Sequence, residues 1–144
     1  MNALTNLTGL ELITGVIEGR IPHPSIAETI PMKIVKAAEG FVEFVVEADT
    51  RHLNPMGGVH GGFAATVMDS ITGCAVHTTL ATGMSYATVD LALKMIRPIP
   101  LHTKLIATGK VMSRSKSIST AEGSIKDAEG KLYAHGTATC FIKS

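Results

Sequence analysis

Residues 63–83 read FAATVMDSITGCAVHTTLATG, a run of small and apolar side chains with a single charge, Asp69. A helix with almost no charged face has to be covered on most sides. Its small side chains let strands approach its axis closely. Downstream, residues 87–96 (ATVDLALKMI) alternate Ala87, Val89, Leu91, Leu93 and Met95 against Thr88, Asp90 and Lys94. That period belongs to a strand. Residues 104–112, 117–126 and 131–142 continue strand after strand, with turn signals at Ser113–Lys116 and Asp127–Gly130.

Upstream, RHLNPMGGVHGG (51–62) combines Asn-Pro with a dense set of glycines and reads as a loop. Residues 41–48 alternate Val42, Phe44, Val46 and Ala48 against Glu43 and Glu47, after a turn at Gly40. Residues 29–36 are a weaker strand candidate. Leu4, Leu7, Leu10, Leu12, Ile13, Val16 and Ile17 suit an amphipathic helix over 4–19, broken at Gly19 and Pro22-His23-Pro24. One uncharged helix among antiparallel strands asks to be wrapped by them. The expectation is a single α+β domain spanning 1–144, with an antiparallel sheet around one long central helix: the hotdog arrangement.

Apolar residues make up 45% of the 144 residues and charged residues 17%, with a net charge of +1. That balance gives no nucleic-acid signature. Two cysteines, Cys74 and Cys140, are too few for a disulfide scaffold and suit a reducing compartment. The opening stretch has no basic segment followed by an apolar block, and no run approaches the roughly 18 apolar residues of a spanning helix. A soluble cytoplasmic protein, without membrane or nucleic-acid partners, is expected.

Three features carry chemistry. His60-Gly61-Gly62 falls where the buried helix begins, where unpaired N–H groups and the positive end of the dipole favour a developing oxyanion. On the dipeptide alone, a tight turn into the helix explains the glycines more simply. Asp69 is a lone carboxylate in a helix read as buried. It is either a satisfied core residue or a nucleophile or general base. Asn54 precedes Pro55 and offers both a donor and an acceptor, which suits holding a water or starting a turn. Gly61 and Asp69 are eight residues apart, about 12 Å along a helix axis. One reacting carbon cannot easily touch both within one chain, whereas two antiparallel helices from two subunits would bring them together.

His52, His60 and Asp69 lack metal-ligand spacing, so no metal is expected. Gly83-Met84-Ser85-Tyr86-Ala87 misses the nucleophile elbow at its last position. His77 is read as a last-turn cation complementing the dipole. His23, His102 and His135 carry no argument.

Asn54-Pro55-Met56-Gly57-Gly58-Val59-His60-Gly61-Gly62 followed by Asp69 resembles the signature of the hotdog thioesterases of the phenylacetic-acid-degradation (PaaI-type) family. Thr14–Pro24, Ala87–Pro98 and Gly130–Phe141 resemble the family's N-terminal helix and turn, third strand and last strand. The resemblance implies hydrolysis of an acyl-CoA, aromatic or medium-chain, to free acid and CoA, by a homodimer or dimer of dimers without a cofactor. Asp69 is then nucleophile or general base, and the Gly61 N–H polarises the carbonyl. Asn54 orients water or Asp69, His60 supports the carbonyl or thiolate, and Thr88 places water. Gly62, Met56, Phe63, Met68 and Met84 are expected around the substrate. The turn Ser113-Arg114-Ser115-Lys116-Ser117, and Arg97, are expected to hold CoA phosphate. The alternatives are a hotdog acyl-thioester hydratase or dehydratase, and a non-catalytic acyl-CoA-binding protein.

Overall fold

The structure is a computed structural model that describes residues 3–144; residues 1 and 2 of the expected domain lie outside the described residues. A short 3-10 turn (Ala3–Asn6) precedes α1 (Gly9–Ile17). The single helix expected over 4–19 is therefore split. Thr8 explains the break: its hydroxyl accepts the Glu11 N–H while the Glu11 carboxylate accepts the Thr8 N–H, a capping box that starts a new helix. A four-residue helix, α2 (Ile26–Thr29), went unread, and β1 consequently starts at Met32 rather than 29.

The remaining elements are β1 (Met32–Ala38), β2 (Phe41–Val46), a second 3-10 turn (Thr50–His52), α3 (Gly61–His77), β3 (Ser85–Met95), β4 (Leu105–Arg114), β5 (Ile118–Lys126) and β6 (Leu132–Lys143). The strands form one antiparallel sheet in the order β1-β2-β4-β5-β6-β3. α3 begins two residues earlier than its apolar run, at Gly61, and stops at His77. Val67, Met68 and Ile71 of α3 are fully buried with Phe44, Leu105 and Ile125 of the sheet.

Three glycines seat the helix. Gly109, Gly123 and Gly136 lie directly opposite one another on β4, β5 and β6. A methyl on Gly123 would stand 2.7 Å from both the Met68 sulfur and an Ile71 methyl, and one on Gly109 would strike the Ile71 carbonyl. The missing side chains form a furrow across the sheet in which α3 rests. β3 ends the sheet, hydrogen-bonded to β6 on one side, and Val89 (62% exposed), Met95 and Ile96 are uncovered there. No helix of the described residues is long and apolar enough to cross a membrane.

Candidate active site

The loop before α3 is held by its own side chains. Asn54 Oδ1 accepts the N–H groups of Met56 (2.9 Å) and Gly58 (3.1 Å), and the Asn54 N–H donates to the Gly58 carbonyl at 2.7 Å. Gly57 takes φ +84°, a left-handed turn conformation that suits glycine. The Asn54 acceptor is thus committed to the turn. Its amide nitrogen has no partner among the described residues and is the end left for a ligand.

His60 is the N-cap of α3. Its Nδ1 accepts the Gly62 N–H at 2.7 Å, which puts the ring proton on Nε2. The Phe63 N–H bonds the His60 carbonyl, and the His60 N–H bonds the His52 carbonyl. Of the first N–H groups of the helix, that of Gly61 alone has no acceptor among the described residues. Gly62 was expected to meet substrate, but its N–H serves the cap. The Gly61 Cα is covered by Met95, whose sulfur lies 2.8 Å from where a Cβ would stand. Asn54, Met56, His60, Gly61, Met95 and Arg97 line one cleft of about 470 Å³. Arg97 enters it with its guanidinium already donating to the Leu132 carbonyl at 2.6 Å.

Asp69 lies elsewhere. It was expected to be buried, yet within this chain it is exposed, and it forms no ion pair among the described residues. It stands at a second cleft of about 650 Å³ with Ser70, Cys74 and His77 of α3 and Tyr86 and Thr88 of β3. The remaining lining is mainly apolar and comes from α1, α2, β1 and β2, including Leu12, Ile13, Val16, Ile26, Ile34 and Phe44, with the His23 ring from the α1–α2 connection. Burial, aided by the Asp69 charge, pushes the Cys74 thiol up to about 12, so it is no nucleophile here. Thr88 Oγ1 sits 3.8 Å from the Cys140 sulfur, beside an irregularity in the β3–β6 register between Thr88 and Asp90.

The expected substrate wall is corrected at Phe63 and Met68. Phe63 (2% exposed) and Met68 (0%) point into the core and wall neither of these clefts, because the face of α3 that carries them is the one seated on the sheet. Phe63 instead stacks on His52, with ring centroids 5.3 Å apart. Met84 packs with Val76 and Leu80. Ser113–Ser117 borders neither cleft. Ser115 closes the turn through the Ile118 carbonyl and N–H, Ser119 caps the Ser113 carbonyl, and Arg114 folds back on the Ser115 carbonyl and on Thr79 just beyond α3. Lys116 and Ser117 remain exposed at the tip. The polar wall around His77 and Tyr86 was missed, since nothing in the sequence brings those residues to Asp69's cleft.

A long helix wrapped by one antiparallel sheet defines the hotdog fold. The chain belongs to the thioesterase superfamily, whose family model matches residues 56–134. It is 31% identical over 107 residues to human acyl-coenzyme A thioesterase 13, covering 74% of this chain and 76% of that one. A phenylacetic acid degradation-related protein of Ralstonia eutropha JMP134 superimposes with a TM-score of 0.81 at 30% identity, over 90% of this chain and 98% of that one. The PaaI protein of E. coli, at 17% identity, shares the fold with a TM-score of 0.81, over 94% and 96% of the two chains.

Proposed function

We propose that the protein hydrolyses aromatic or medium-chain acyl-CoAs in the cytoplasm. It acts as a homodimer or dimer of dimers, each site joining the Gly61 end of one protomer to the Asp69 end of a second. One observation carries the reading: the unpaired amide and the unpaired carboxylate open into different clefts of the same chain. β3 runs antiparallel to α3, with Met95 against Gly61 at one end and Tyr86 against Gly73 at the other. A two-fold axis at the free edge of β3, perpendicular to the strand, would exchange the two ends and bring Asp69 of each copy toward Gly61 of the other. That pairing would also cover Val89 and the exposed carboxylate.

In such a site the thioester carbonyl accepts a hydrogen bond from the Gly61 N–H at the positive end of α3, and the developing oxyanion is stabilised. Asp69 then either attacks the carbonyl carbon, expelling the CoA thiolate and leaving an anhydride for water to open, or takes a proton from water that attacks instead. Both routes end in free acid and CoA. Asn54 Nδ2 and His60 Nε2 are donors for the carbonyl or the departing sulfur, and Thr88 is a hydroxyl for the water. The acyl group occupies the apolar cleft under α1, and Met56 at the rim meets the pantetheine side. Arg97 and the Ser113–Ser117 turn, through Lys116, are left for CoA phosphate. CoA belongs to the substrate, and the chemistry calls for no cofactor and no metal.

Asp69→Asn should cut turnover about 10²–10⁴-fold, read by thiol release across aromatic, short, medium and long acyl-CoAs, with the oligomer unchanged on size exclusion. Near-normal turnover in that variant would reject the assignment.

A further inference from the structure

The cleft at Asp69 has one apolar wall and one polar wall, and two groups on the polar wall have nothing to do. His77 and Tyr86 pack ring to ring, with centroids 5.4 Å apart and planes tilted by 51°. Neither the His77 ring nitrogens nor the Tyr86 hydroxyl has a hydrogen-bond partner among the described residues. Both are half-buried and both line the cleft. Gly73 makes the room, for its Cβ would stand 2.9 Å from the Tyr86 hydroxyl. A half-buried donor and acceptor with no protein partner favour a ligand that supplies one.

We propose that His77 and Tyr86 read a hydroxyl or carbonyl carried near the far end of the acyl group. This rests on the assignment of Asp69 as the reacting carboxylate. The Tyr86 hydroxyl faces Gly73, four residues beyond Asp69, and His77 lies eight beyond. The substituent therefore sits about 6–12 Å from the reacting carbon along the helix axis. Burial holds His77 down and Tyr86 up from their ordinary values, so both stay neutral near pH 7 and offer donor and acceptor together. The rest of the lining is mainly hydrocarbon from α1, which suits the chain between carbonyl and substituent; its one other imidazole, His23, already accepts the Ile34 N–H through Nε2.

The test compares octanoyl-CoA with 8-hydroxyoctanoyl-CoA on the intact protein. The expected kcat/KM ratio is about tenfold or more in favour of the hydroxylated substrate, within the range of one hydrogen bond to a buried partner. Tyr86→Phe and His77→Phe should each lower that ratio, while His77→Gln, which keeps a donor and an acceptor, should retain it. A wild-type ratio near one, or a ratio untouched by both phenylalanine variants, overturns the proposal. Asp69→Asn on the same two substrates separates the two ideas. Persistent turnover there sinks the catalytic reading, whereas Asp69-dependent turnover without preference sinks this one alone.

Discussion

The two ends of α3 are built in opposite ways. At the start, the Gly61 cleft is assembled by a loop folding on itself: Asn54 ties Met56 and Gly58, and His60 ties Gly62, all within four residues. Two turns further, the Asp69 cleft is assembled by elements far apart in sequence, α1, α2, β1, β2 and β3, whose side chains merely converge. Both clefts are walled largely by hydrocarbon; what differs is that local hydrogen bonds hold the first and convergent packing shapes the second. Local bonds fix an amide where charge develops. Convergent packing shapes a space, and it can be reshaped without disturbing the amide. The contrast matches the roles proposed above: a fixed amide for the carbonyl at one end, and the carboxylate beside the acyl cleft at the other.

The strongest way to break this picture is to damage one end in each of two chains. Gly61→Pro removes the N–H at a position where proline suits a helix start, and the exposed Met95 sulfur is free to move aside. Alone it should lower kcat about 10²–10³-fold. Asp69→Asn chains refolded with Gly61→Pro chains would give mixed dimers with one doubly damaged and one intact site. Activity should return to about a quarter of wild type by random pairing. No recovery, with mixed dimers demonstrated by tagged chains, would mean that each chain keeps both ends for itself.

A smaller effect sharpens the second end. The Gly9 N–H donates to the Leu80 carbonyl at 2.9 Å, and a methyl on Gly9 would fall on the His77 carbonyl oxygen. Gly9→Ala should lift α1 and cost about 1–3 kcal/mol in urea unfolding. It should flatten the preference among acyl chain lengths more than it slows the best substrate. An unaltered chain-length profile at reduced stability would show that α1 does not wall the acyl group.

The smallest effect separates two jobs of one residue. His60→Ala should lose about 1 kcal/mol from the uncapped Gly62 N–H. His60→Asn should regain that stability, since asparagine caps well, without restoring full turnover. Equal turnover in wild type and His60→Asn would leave the ring with capping alone.

The same contrast governs how much the sequence told. The loop at Asn54 and the start of α3 near Gly61 were legible because Asn-Pro and clustered glycines are local signals, and the strands were legible from their period of two; the roles of Asn54, His60 and Gly61 came from the family resemblance. The Thr8 capping box was also written locally, but the apolar stripe running through Leu4 and Leu7 masked it. Phe63 and Met68 were misassigned because α3 is apolar on more than one face, and sequence alone does not say which face meets the sheet. His77 and Tyr86 went unnoticed because their meeting depends on where β3 returns beside α3, a fact of topology. The exposure of Asp69 likewise depends on a surface that one chain leaves open.

The furrow of Gly109, Gly123 and Gly136 has a consequence for both ends at once. α3 is a stiff rod, and its depth is set by three absent side chains under its middle. A single methyl there acts as a wedge beneath a lever: it would raise amide and carboxylate together, spoiling the alignment of two sites from a residue that touches neither.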